Sequence, residues 1–498
     1  MSKYRRWTFV AFVSSSLLAS AAGAQVTTPL TQAEVVALAA KHNPGLQTSL
    51  LNLESARWEV YGQEARYAPV LLLDASATRS KTPSLFTEGV ALNRTTRADA
   101  GAEVRKRLVW GTDLTLRIAG NWQETKIELP ADLRGAPLPA GTSYGLLAKL
   151  SLKQPLLRGS GRAVNEAELL AARARRTSVE HAQDRVASQL VRDVLTAYWE
   201  LWYAEASLKI EEESRAVAVK QRDDAQARAD TGGLAPSEVL AFETEVAMRE
   251  EGVLSAQLNR RQRELELFTR LGIIEKPQSL GAAEEELRPE SVLDRQVAFD
   301  RMLGQSAELK ELEASLALAR LQSKTAADPQ RARLDLDSYV QAQGLGNDSL
   351  GESVEQFGAF EAVSAFVGLT YEAPLSDHSR RAASAKARLA VDVAEQNLKE
   401  ARQRMVSELD LSLERRRAAE SKVGLAERTV LVANKQLEAQ KARFSTGAAT
   451  PLAVLEAESQ VRNAQIRVAR AQTDLAEAML ALQHLTGDLL PRYAAISR

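Results

Sequence analysis

The chain has 498 residues, with 64 Lys and Arg against 65 Asp and Glu, four His and no cysteine. This composition excludes a disulfide scaffold, a thiolate metal site, a cysteine nucleophile and a strongly basic nucleic-acid binder. A charged fraction of 26% and an aromatic fraction of 5% suit a water-exposed helical protein better than a bundle of apolar membrane-spanning helices.

Lys3, Arg5 and Arg6 precede a mostly apolar run from Thr8 to Leu18, and Ala22-Gly23-Ala24 supplies an A-x-A cleavage site before Gln25. The run is far short of the ~20 residues a spanning helix needs, so residues 1–24 read as a cleaved secretory signal. Its loss removes three positive charges and no negative ones, taking the net charge from -1 to about -4. Without cysteine, an amino-terminal lipid anchor on a post-cleavage thiol is impossible.

Residues 25–280 read as a first structural repeat. Its strands are expected over about 69–153, where Leu114, Leu116 and Ile118 alternate with Asp113, Thr115 and Arg117, and Leu146, Ala148, Leu150 and Leu152 share a face. A long helical hairpin follows over about 162–272, turning at 231–233. No proline interrupts Leu156 to Ala235, and the stretch is dense in Ala, Leu, Arg, Glu and Gln. Such a helix is ~100 Å long, a length that implies coiled-coil packing.

Residues 281–490 read as a second repeat, with strands over about 333–373 and a hairpin over about 381–487 that turns at 446–447. Leu334, Leu336, Ser338 and Val340 oppose Asp335, Asp337, Tyr339 and Gln341, and Val363, Ala365, Val367, Leu369 and Tyr371 form a further apolar face. In the last helix Val454, Ala457, Val461, Ala464, Val468, Ala471, Leu475, Ala478, Leu482 and Leu485 alternate by three and four, the spacing of a left-handed supercoil seam. Residues 491–498 form a tail.

The duplication itself is visible by sliding the chain against itself. At an offset of 215, Ala227 to Gly272 lies on Ala442 to Gly487 with about 15 identities in 46 columns, including Arg228/Arg443, Thr231/Thr446, Gly232/Gly447, Pro236/Pro451 and Gly272/Gly487. At 219, Gln154-Pro155-Leu156 meets Ala373-Pro374-Leu375; at 263, Leu71, Leu73 and Asp74 meet Leu334, Leu336 and Asp337. Chance gives roughly a third of that identity, so the chain is two copies of helix, strands and helical hairpin.

The strands are apolar on one face, polar on the other and long enough to cross a membrane; a small soluble β-domain is the other reading of the pattern. Four to six strands from one chain cannot close a barrel with an open lumen, whereas a cyclic trimer supplies twelve or more. Gly159-Ser160-Gly161 superficially resembles a phosphate loop, but position 164 is Val, and the segment better suits a strand-to-helix joint. His42, His181, His378 and His484 have no metal-ligand spacing, and no cofactor is expected. The Tyr198-Trp199 and Trp202-Tyr203 cluster reads as packing.

Three sets of residues resemble the outer-membrane efflux protein (TolC) family. They are Leu30-Thr31 through Glu34-Val35-Val36-Ala37-Leu38-Ala39 to Asn43-Pro44-Gly45-Leu46, the joint Gln154-Pro155-Leu156-Leu157-Arg158-Gly159, and Arg443-Phe444-Ser445-Thr446-Gly447 followed by Val454-Leu455. The resemblance implies a mainly α fold with a membrane β-barrel portion: a homotrimeric β-barrel in outer-membrane lipid, continued by a coiled-coil α-helical barrel across the periplasm. It also implies a duct, not an enzyme, that exports small molecules (drugs, toxic compounds) or polypeptides. The implied partners are a periplasmic adaptor protein and an inner-membrane efflux pump or ABC exporter, as in type I secretion, with no nucleic acid.

On the same resemblance, the adaptor meets the hairpin tips, here Thr231, Gly232 and Pro236, and Arg443, Thr446, Gly447 and Pro451. Glu238 and Glu456 are the candidate gate or constriction acids. Three copies of one carboxylate around an axis would concentrate negative potential in a narrow lumen and favour cations. Ala453 stands where the family often has an acid, and Ala100 to Gln123 reads as an extra hairpin turning at Trp110-Gly111, so the barrel could hold more than the usual four strands per protomer. The alternative function is a non-pore periplasmic coiled-coil adaptor or scaffold.

Overall fold

A computed structural model describes residues 28–86, 89–128, 141–274, 280–283, 294–373 and 376–493. The expected signal segment and the last five residues of the tail lie outside these.

The chain opens with strand β1 (Thr28–Leu30) and helices α1 (Gln32–His42) and α2 (Pro44–Ala65). Thr31 and Glu34 form a reciprocal capping box on α1, and Asn43 caps α2 by accepting from Leu46 N at 3.1 Å, with Pro44 at the first helical position. Four strands follow: β2 (Val70–Phe86), β3 (Gly89–Arg107), β4 (Asp113–Glu128) and β5 (Gly141–Pro155). Gly111, at φ +93, makes the β3–β4 turn; its missing Cβ would lie 2.6 Å from the Gly159 carbonyl oxygen.

Helices α3 (Arg162–Asn165) and α4 (Ala167–Asp230) come next, so the single helix expected from Arg162 breaks at Glu166. The Asn165 amide donates to both the Gly159 and Gly161 carbonyls, holding the chain in the strand-to-helix joint before the long helix can start. At 64 residues, α4 is ~96 Å long. Helix α5 (Pro236–Leu271) returns alongside it, and β6 (Leu280–Ala282) pairs in parallel with β1.

The second half repeats the plan with α6 (Arg295–Gln305), α7 (Ala307–Thr325), strand β7 (Arg333–Asn347), a short helix α8 (Leu350–Gly358), strand β8 (Ala362–Glu372), α9 (His378–Ser445), α10 (Pro451–Thr486) and α11 (Leu489–Tyr493). The α8 helix was not foreseen: nine residues are too few to declare a periodicity. No described helix is long and apolar enough to cross a membrane.

The sheet has six strands in the order β2-β3-β4-β5-β7-β8, every neighbouring pair antiparallel. The helical body carries the core. Where α1, α4, α5, α10 and α11 converge, Val35, Leu195, Tyr198, Leu201, Leu271 and Leu489 are completely buried. A second cluster joins α6, α7, α9 and α10 through Met302, Leu309, Met405, Leu409 and Leu482. Tyr198 and Trp199 are part of the first core, which assigns the aromatic cluster to packing.

The expected seam on α10 is mostly buried, but Ala469, Thr473, Ala476 and Leu480 are buried as well. These belong to a second face: α10 packs against α9 through Val454, Ala457 and Val461, and Ala476 and Leu480 join the core that contains α4. A helix with neighbours on two sides needs a wider apolar surface than one coiled-coil stripe.

Candidate functional site

Both helical hairpins turn by the same hydrogen-bond pattern. Gly232 and Gly447 sit at φ +74, each just past its helix. Gly232 N donates to Ala229 O at 3.0 Å and Gly233 N to Arg228 O at 2.7 Å; Gly447 N donates to Phe444 O at 3.0 Å and Ala448 N to Arg443 O at 2.8 Å. These are Schellman closures, which satisfy helix-end carbonyls and require a left-handed residue. The Thr231 and Thr446 hydroxyls donate to the Arg228 and Arg443 carbonyls at 3.0 and 2.9 Å. Pro236 and Pro451 open the return helices, and Thr450 caps the second by accepting from Ala453 N.

The two tips lie side by side. Leu455 packs with Ala225 and Phe242, and the Arg228 guanidinium lies 5.8 Å from the centre of the Phe444 ring. Glu238 falls in the first turn of α5 and Glu456 in the second turn of α10; both are exposed. They are not repeat equivalents, since Glu238 corresponds to Ala453 and Glu456 to Ala241. In helical register the two acids sit three residues apart, about 4.5 Å along the axis. Glu458, two positions on, is held by Gln221 at 2.5 Å and Lys441 at 3.4 Å and joins the helices together.

At the other end, the sheet separates two chemistries. One row runs straight across all six strands as Leu71, Val104, Leu116, Leu150, Val340 and Ala365. The adjacent row, on the opposite face, reads Leu72, Glu103, Arg117, Lys149, Gln341 and Ser364. Arg117 bridges Asp74 at 2.9 Å and Glu103 at 3.1 Å, tying three strands, while Lys153 lies 3.5 Å from Asp335. Sequence reasoning named none of these charges as functional. The period-two alternation puts them on the polar face, but which charge meets which depends on strand pairing.

Two titratable groups in the helical body oppose one another. Burial, aided by the Glu200 carboxylate, pushes Glu477 up to about 7, against the pull of Arg470. Burial, aided by the Arg192 charge, pushes His484 down to about 4, against Asp193; Ser188 Oγ lies 2.7 Å from its Nδ1. Raised in the folded state, Glu477 contributes stability that is present below 4.5 and lost as pH rises through about 7. The lowered His484 contributes stability that is present above 6.5 and lost as pH falls through about 4.

Glu477→Gln is therefore expected to make the thermal transition fall more steeply between pH 6.5 and 4. His484→Gln is expected to make it rise as pH drops from 7 to 4.5. The histidine effect is about 3 kcal/mol and the partly solvated glutamate effect about 1 kcal/mol. Parallel melting curves for both variants and the native chain would refute the opposition. Among the described residues no group of His, Asp and Glu could hold a metal.

Comparison with known proteins agrees with this geometry. Residues 298–488 match the family model described as outer membrane efflux protein. No curated protein matches the chain by sequence. Among solved structures, the outer membrane protein VceC of Vibrio cholerae is 17% identical, with 92% of this chain and 96% of that one covered and a TM-score of 0.62. The Campylobacter jejuni CmeC outer membrane channel is 14% identical over 94% and 89%, at 0.64. The open Neisseria gonorrhoeae MtrE outer membrane channel is 16% identical over 92% and 88%, at 0.59. The second repeat thus carries the signature of the outer membrane efflux protein family, and the chain as a whole has the fold of the solved outer-membrane channels.

Proposed function

We propose that three copies of this chain form a passive exit duct through the outer membrane, continued into the periplasm by the helical hairpins. The observation that carries this reading is the joining of an all-antiparallel sheet, apolar on one face and charged on the other, to two hairpins whose long arms each span ~100 Å. Leu71, Ile118, Val340 and Val367 are 63, 56, 53 and 74% exposed on the apolar face, a surface that suits lipid and not water. The chain is a channel component, not an enzyme.

A periplasmic adaptor and an inner-membrane pump are the proposed partners, with small molecules or polypeptides as cargo. Both matched Schellman turns support the tips as the adaptor-docking and opening end, and their exposed acids support Glu238 and Glu456 as constriction groups. Conductance of the purified protein in a planar bilayer tests the duct. Discrete cation-selective steps altered by Glu456→Gln are expected; steps unchanged by it would remove that residue from the constriction, and an absence of steps in a tip-opened variant would remove the duct.

Gly447→Val provides the cellular test. Nothing lies within 4 Å of the added Cβ, so the strain is confined to the turn, about 1–2 kcal/mol. Export is expected to be lost while the assembled protein persists in the outer membrane. Full export by that variant would count against a role for this tip.

A further inference from the structure

We propose that the β3–β4 hairpin is part of the membrane wall, so that three copies close a barrel of eighteen strands. This rests on the trimeric duct reading and deepens it. The repeat register identifies the hairpin as the added element. Asp74 on β2 corresponds to Asp337 on β7, and Pro155 at the end of β5 to Pro374 just after β8, which leaves β3 and β4 without counterparts in the second half.

The added strands sit in the middle of the sheet, not at its edge. β2 is laddered to β3 over its entire length, from Val70↔Arg105 to Phe86↔Gly89, and β4 to β5 from Asp113↔Lys153 to Thr125↔Gly141. Folding the hairpin out of the wall would break both ladders and expose their backbone groups, which lipid cannot hydrate. The apolar row also crosses the hairpin without interruption, through Val104 and Leu116, as does the polar row through Glu103 and Arg117. The ion pair of Arg117 with Asp74 joins the hairpin to β2 on the polar face, and that of Arg117 with Glu103 joins the two strands of the hairpin to each other.

The two outer edges suit closure by further copies. With six alternating strands, β8 runs opposite to β2, so the contact between neighbouring copies is antiparallel, as in every other pair of the wall. Beyond the reach of β8, helix α8 caps the exposed flank of β7: Leu345 N donates to Gln356 Oε1 at 2.7 Å and Asn347 N to Glu352 Oε2 at 3.0 Å. β8 is an edge of the sheet among the described residues, and Val367, Leu369 and Tyr371 on its apolar face are exposed. Such an edge is stable in a membrane only when paired. Diameter grows about linearly with strand number, so at equal tilt an eighteen-stranded wall is about half again as wide as a twelve-stranded one.

Single cysteines test the wall directly, because the chain has none of its own. Variants at Thr115, Leu116, Ile118, Ala119, Asn121 and Trp122 are reacted with a membrane-impermeant maleimide in outer-membrane vesicles and normalised to labelling after denaturation. The expected result is alternation along β4: Leu116→Cys, Ile118→Cys and Trp122→Cys are protected at least fivefold relative to Thr115→Cys, Ala119→Cys and Asn121→Cys. Uniform labelling would overturn the proposal.

Closure is read from pairs that combine Val367→Cys with Leu71→Cys, Leu73→Cys or Ala75→Cys. Oxidation is expected to give a ladder of covalent dimers and trimers in at least one pair. Uniform labelling with a ladder and intact conductance would place the hairpin outside a smaller barrel and leave the duct standing. No ladder with intact conductance would overturn the closure alone, and no ladder with no conductance would overturn the duct reading as well.

Discussion

Gly487→Val is expected to destabilise the protein by about 3 kcal/mol or more, because two costs coincide at one position. Gly487 ends α10 at φ +79, where a β-branched residue is strained, and its Cβ would lie 2.7 Å from the Gln305 carbonyl oxygen and 2.8 Å from that carbonyl carbon. Backbone cannot swing aside as a flexible side chain can. Gly272 repeats the arrangement in the first half, at φ +76, with a Cβ position 2.7 Å from the His42 carbonyl oxygen and 2.8 Å from Pro44. In each repeat, then, the end of the long hairpin is pressed against the joint between the two short helices that open that repeat. Gly424→Ala, in open space on α9, is the control and is expected to be neutral or to stabilise by about 0.5–1 kcal/mol. A normal thermal transition for Gly487→Val would show that this joint yields.

Glu264→Leu is expected to cost about 3–5 kcal/mol, chiefly through the polar groups it strands. The Glu264 side chain is wholly buried; its carboxylate accepts from Leu280 N at 2.8 Å and from Arg261 at 2.6 Å, with Arg260 at 3.7 Å. Arg260 in turn reaches Glu205 at 3.0 Å and the Leu280 carbonyl at 3.0 Å, and Glu205 accepts from Ala282 N at 2.9 Å. The two acids thus fasten β6, and β1 paired to it, onto α4 and α5. Glu264→Gln keeps an acceptor for Leu280 N and is expected to cost about half as much. Thermal melting and hydrogen exchange at Leu280 and Ala282 check both; equal losses in the two variants would mean that the charge contributes little beyond the hydrogen bond.

The hairpin tips were legible because their determinants are local. A left-handed residue in a Schellman turn calls for Gly232 or Gly447, a helix start favours Pro236 or Pro451, and duplication at a fixed offset displays both sets twice. The long helices were legible from composition and an uninterrupted seam. The break at Glu166 was not, because it comes from Asn165 bonding to two carbonyls in the preceding loop, an accident of how that loop is held. The candidate acids were named by resemblance, and their unequal heights follow from the repeat register, which the sequence already contains.

By itself, the sequence determined two repeats, the long hairpins with their turns, and strands with one apolar and one polar face. Each of these depends on neighbours a few residues apart, or on comparing the chain with itself. Only the tertiary structure decided that β3 and β4 lie in the middle of a six-stranded sheet, that α8 caps β7, that α10 is buried on two sides, and that Arg117 joins Asp74 to Glu103. Strand pairing and side-by-side helix packing bring together residues far apart in the chain, and hydrophobic period specifies which face is buried without specifying its partner.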